Sequence, residues 1–175
     1  MEEKDLGYRY HETFDEIIPV LEGIKKGFFS QKEAVLRENR LRFRQIIKSR
    51  VPFVEKVIEE KDKSKLEKQY VALIPLFQVI LLAIENLIEK METKISARIL
   101  FSERALSEIG ELFTIMFDQF RDTKDYILTK NPHLQKDIKT GTEHLMKLVA
   151  EYALIHQQRL ITGICMPQAS YLYLD

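Results

Sequence analysis

The chain has 175 residues, 45% hydrophobic and 31% charged, a balance that supplies a real core for one domain and excludes a disordered segment. Lys plus Arg and Asp plus Glu both number 27, so the net charge is zero and nucleic-acid binding by bulk charge is excluded. With six glycines and five prolines, turns are few and the elements must be long. The single cysteine, Cys165, excludes an internal disulfide and a multi-cysteine zinc site.

Over residues 8–28, Phe14, Ile17, Ile18, Leu21 and Ile24 recur at three- and four-residue spacing and predict a first amphipathic helix. Gly27 and Ser30 bracket a predicted turn. Ser30 and Glu33 have the form of a capping box, in which each side chain answers the other's backbone N–H. A second helix is predicted over 31–60 on Val35, Leu36, Phe43, Ile46, Ile47, Val54, Val57 and Ile58, with Pro52 a candidate kink. A third is predicted over 65–95, its stripe running from Leu66 through Tyr70, Phe77, Ile84 and Met91 to Ile95. Residues 70–84 are the longest apolar run, shorter than the roughly 20 residues of a bilayer span. They predict the most buried helix of a bundle, bent at Pro75.

Ser102 is a candidate N-cap for a fourth helix carrying Leu106, Ile109, Phe113, Met116, Phe117, Phe120 and Ile127. Asn131–Pro132 signals the start of a fifth, which runs to about Leu160 on Leu134, Ile138, Leu145, Leu148, Tyr152 and Ile155. Gly163 ends it, and Pro167 looks like the first residue of another helix. The fold class read from this order is all-α, an antiparallel helical bundle. Its two halves, residues 8–97 and 101–175, echo one another as three-helix units within a single domain, the last helix only beginning. The start of the chain lacks the apolar stretch of a signal peptide, so the cytoplasm is the expected location.

Glu85 and Glu89 lie four residues apart on one face of the third helix, with Glu92 three further on. Stacked carboxylates of this kind can chelate a cation, and they can equally form a solvated edge beside Lys90 and Lys94. Asp118, Asp122 and Asp125 form a second acidic row with the same two readings. None of His11, His133, His144 and His156 makes a Glu-x-x-His pair or a His pair four apart, so the sequence offers neither a ferritin-like nor a zincin site. His156, near Arg159, reads as a structural polar group. Arg37, Arg40, Arg42, Arg44, Lys48 and Arg50 make the second helix locally basic on several faces. This suits a solvated surface, a docking surface for an acidic partner or contact with an anionic membrane. There is no Gly-rich phosphate loop, no Gly-x-Ser-x-Gly elbow and no catalytic signature at Cys165.

The stretch HQQRLITGICMPQASYLYLD, residues 156–175, resembles the end of the PhoU-like domains found behind sodium/phosphate cotransporters. His156, Arg159, Leu160, Gly163, Leu174 and Asp175 match its His-x-x-Arg-Leu, glycine turn and Leu-Asp. Upstream, AIENLIEKMET stands where that family carries Glu-Arg-Ile-Gly-Asp. Glu85 matches the first acid and Glu89 replaces the aspartate, while Asn86 and Ile88 replace the arginine and glycine.

The resemblance implies a non-catalytic cytoplasmic regulator of phosphate uptake, peripheral to the membrane, that contacts a transporter or sensor kinase. It implies a site for a divalent, iron or zinc ion with Glu85 and Glu89 as ligands. A metal-free helical adaptor and a metal-dependent bundle enzyme are the alternatives. A second half that stops as its third helix begins should leave apolar surface on the fourth and fifth helices. That surface is expected to be buried in a homo-oligomer or patched by Tyr171, Leu172 and Leu174.

Overall fold

The computed structural model describes residues 3–59, 65–164 and 167–174, without side chains at 3–6, 51–59 and 65–67. Cys165, Asp175 and the side chains of Pro52, Val54, Glu55, Val57, Ile58, Glu59 and Leu66 therefore lie outside the described residues. Every described element is helical: α1 (Glu3–Ser30), α2 (Glu33–Glu59), α3 (Lys65–Ala72), α4 (Ile74–Ser96), α5 (Glu103–Thr129), α6 (Pro132–Ile161) and α7 (Pro167–Leu174). The chain is an all-α helical bundle, and the two-residue connections at 31–32 and 130–131 set α2 antiparallel to α1 and α6 antiparallel to α5.

The ends of these helices follow local chemistry. Ser102 caps α5, its hydroxyl accepting from the Ala105 N–H, and Asn131 caps α6 by accepting from the His133 N–H ahead of Pro132. The capping box predicted at Ser30 does not form. Ser30 is the last residue of α1, and its hydroxyl donates back to the Lys26 carbonyl. The turn lies one step later, where Gln31 takes a left-handed φ of 54°. There the Lys32 N–H returns to the Gly27 carbonyl and the Gln31 N–H to Phe28, a Schellman ending. A helical end already satisfied this way has no use for Ser30 as the next cap.

Pro75 does more than bend the third predicted helix. The helix is divided at Leu73, and Pro75 falls in the first turn of α4, where its missing N–H breaks no helical bond. α2, in contrast, runs through Pro52.

The central element is α1. It lies between α2 and α5, with α3 against it; α4 packs on α2, and α6 packs on α5. Ile17, Val20, Leu21 and Ile24 of α1 are fully buried, and Leu36, Phe43, Ile88, Phe113 and Phe117 close around them. Gly27 permits this approach, since a Cβ there would meet Leu36 Cδ2 at 2.7 Å. A second cluster, Tyr10, Phe14, Tyr70, Ile74 and Ile127, closes the α3 end.

The expectation that residues 70–84 form the most buried helix is overturned. The segment Lys68–Ser96 is long and apolar enough to cross a bilayer by length and composition, yet only 17% of its most apolar window is buried. α1 holds the centre because it is flanked on two sides, whereas α4 is covered mainly from the α2 side.

Candidate functional site

Three places on the bundle gather the residues that carry chemistry. The first is the ridge of α4 that faces α2. Glu85 accepts from Arg40 Nε at 2.9 Å and from Arg44 Nε at 3.0 Å, and Arg40 also reaches Glu92. Burial alone would raise the Glu85 pKa, but the hydrogen bonds from Arg44 and Arg40 outweigh it and hold the carboxyl below its usual range. Glu89 is exposed, off the Arg40–Glu85 contact. A metal at Glu85 would have to displace two guanidinium groups. Among the described residues no three His, Cys, Asp or Glu side chains come together as a cage. Glu85 thus stands here as an anchor between α4 and α2, and Glu89 takes no part in that contact.

The basic stretch of α2 is largely answered within the chain. Arg37 faces Glu33, Arg40 and Arg44 face Glu85, and Arg50 faces Glu12 and Glu16. The acidic row of α5 is answered in part. Asp118 pairs with Arg121 and Asp125 lies near Lys124, while Asp122 has a raised pKa, first from burial and then from Asp137, Asp118 and Asp125.

The second place is the junction of α5, α6 and α7. Glu108 is 6% exposed and accepts from Arg159 Nη2 at 2.7 Å, from Arg104 Nε at 3.0 Å and from the Tyr173 hydroxyl. Burial would raise the Glu108 pKa, but these three donors bring it below the usual carboxylate range. Burial, together with the hydrogen bond to Glu108, pushes the Tyr173 phenol far up.

His156 is 2% exposed and stacks on the Tyr173 ring with centroids 4.2 Å apart. Among the described residues, neither of its ring nitrogens has a hydrogen-bond partner. Burial, and then the neighbouring Arg159 charge, lowers its pKa against an opposing pull from Glu108. The arrangement is a clamp: an acid on α5 holds an arginine on α6 and a phenol on α7, and an imidazole closes it from the side.

The sequence marks His156 and Arg159 but misses Glu108 and Tyr173. A usable signal exists. Arg159 falls four residues beyond Ile155, in line with the inward stripe of α6, and Glu108 falls three beyond the buried Ala105. A charge on an inward row requires a partner on the facing helix.

The third place is a trough between α4 on one side and α5 and α6 on the other. It holds two cavities of about 270 and 310 Å³. Leu87 and Met91 of α4, Phe113 and Met116 of α5 and Leu145 of α6 line one; Phe77, Ile80 and Ile138 stand in the other. Leu172 and Tyr173 of α7 line the first cavity, while Tyr171 points outward at 77% exposure. The predicted stripe of α6 is only half buried, and Met146, Val149 and Leu154 stand exposed on that helix. Lys94, almost fully buried, ends beside the Phe28 and Phe101 rings at 5.0 and 5.3 Å, and burial lowers its pKa. No protein-family model, curated protein or solved structure matches the chain.

Proposed function

We propose that this chain is a non-catalytic regulatory and interaction domain in the control of phosphate uptake, resembling PhoU-like domains. The observation that carries the reading is the clamp. His156 and Arg159, the most specific residues of the resemblance, are buried and engaged, and they lock a short helix onto the open side of the bundle. Residues spent on fixing a helix next to an apolar trough suit a domain that works by contact. The clamp and the α4 ridge are both built of ion pairs that join helices, which supports a role in shape and docking over one in chemistry.

The reading is tested in the native host. Deleting the gene should leave radiolabelled phosphate uptake unrestrained at high external phosphate, and restoring the chain should restore the restraint. Uptake that is identical with and without the gene would sink it.

A metal-free adaptor is the second reading, and the two guanidinium groups on Glu85 favour it over a metal-loaded domain. Elemental analysis of the purified chain separates the two. Metal retained by the wild type and lost from Glu85→Ala/Glu89→Ala restores the metal site; metal absent from both leaves the adaptor.

A further inference from the structure

We infer that the cavity of about 270 Å³ beside α7 binds a small amphipathic carboxylate, its apolar body against α4, α5 and α6 and its carboxylate on Lys94.

Lys94 is the feature that points to a ligand. It stands in the last turn of α4 at 2% exposure, and it lines the cavity. Its Nζ lies 5.0 Å from the centre of the Phe28 ring and 5.3 Å from that of Phe101, and both rings line the same cavity. Among the described residues it has no ion pair and no side-chain hydrogen bond. A lysine buried this deeply ordinarily meets a carboxylate or carbonyl oxygens. The two rings attract the charge, but neither offers an oxygen to its N–H groups. Burial lowers its pKa, and an anion set against it would favour the charged form again.

The rest of the lining sets the kind of anion. Leu87, Met91 and Lys94 follow one another at helical spacing on one face of α4, so that wall is an apolar stripe ending in an ammonium group. Phe113 and Met116 of α5 and Leu145 of α6 face it. Lys90, exposed, adds a second cation, and among the described residues no Asp or Glu lines the cavity. The Tyr173 hydroxyl is already donated to Glu108. Inorganic phosphate would need more donors than one buried ammonium supplies, and its charge would lie against apolar walls. A carboxylate carries less charge, and its apolar body gains from burial in the same walls. Size narrows the class further. A cavity of ~150 Å³ takes a benzene ring, so one of about 270 Å³ takes about ten heavy atoms, the size of octanoate.

The test titrates octanoate, and separately its neutral twin 1-octanol, into the purified chain by calorimetry, beside Lys94→Met and Leu145→Trp. The wild type should bind one octanoate saturably and more tightly than 1-octanol. Lys94→Met keeps an unbranched side chain and removes the charge. It should weaken octanoate by about tenfold or more and leave 1-octanol unchanged. Leu145→Trp, with an unchanged far-ultraviolet helical spectrum, fills the cavity and should abolish both. Inorganic phosphate at the same concentration should not displace octanoate.

A second arm uses the wild type alone and so stands whether or not a variant folds. Octanoate should shift the methyl resonances of Met91 and Met116, which line the cavity, and leave that of Met146, which lies outside the lining at 69% exposure. A wild type without saturable octanoate binding overturns the proposal. So does octanoate that binds no more tightly than 1-octanol, that is indifferent to Lys94→Met, that phosphate displaces, or that leaves Met91 and Met116 unmoved.

Discussion

Burying Glu108 beside Arg159 takes two opposite charges out of water, and their separation of 2.7 Å recovers that cost only while both are present. Glu108→Gln should therefore lower unfolding stability by about 3 kcal/mol, read from the urea midpoint, because it strands the Arg159 charge. Adding Arg159→Met to it should recover part of the loss. His156 sets a separate dependence on pH. Burial holds its folded pKa below 6.5, so the unfolded chain binds a proton more readily and stability rises with pH through that window. Its contribution is complete above pH 6.5 and is lost as the pH falls below it. His156→Phe keeps a ring against Tyr173 and removes the proton site, so its stability curve should be flatter than wild type just below pH 6.5. Glu108, also depressed, adds a further loss only below about 4.5, where the carboxyl begins to protonate. The two windows are separate and can be read by thermal melts across pH.

Helices here end on backbone geometry more than on residue identity. Gln31, Arg98 and Gly163 each take a left-handed φ, and each is followed by a Schellman return of the next N–H to the carbonyl five residues back. Only Gly163 occupies that region without a side-chain penalty. Gln31→Gly should thus raise stability by about 1 kcal/mol, and Gly163→Ala should lower it by a similar amount, both seen in melting temperature. Ser102→Ala removes the one side chain that caps α5 and should cost about 1 kcal/mol. The break at Leu73 has its own cause: Pro75 has no N–H to return to the preceding turn, so α3 ends at Ala72 and α4 begins at Ile74.

The molecule as a whole is a stack with one side left open. α2, α1 and α5 form its middle, α4 and α6 its flanks, and α7 a short bar between the flanks. Of the apolar surface expected on the last two long helices, that of α6 is present at Met146, Val149 and Leu154, whereas α5 carries no exposed large apolar side chain among the described residues. Leu172 and Tyr173 fill part of the trough, whereas Tyr171 does not help cover it.

Four of the five long-helix assignments, the caps at Ser102 and Asn131 and a disturbance at Pro75, expected as a bend and found as a break at Leu73, were legible from local signals. Apolar spacing, an N-cap and a proline act within a turn or two of themselves, so sequence alone determines them. Three matters were decided by tertiary structure. Hydrophobicity placed residues 70–84 at the centre, but burial depends on how many neighbours flank a helix, and α1 has them. Spacing placed Glu85 and Glu89 on one face of a helix, but which charge meets a carboxylate depends on the facing helix, and α2 presents Arg40 and Arg44 to Glu85. The clamp joins Glu108 to Arg159 and Tyr173, 51 and 65 residues away, and only the packing of α5, α6 and α7 brings them within hydrogen-bond reach.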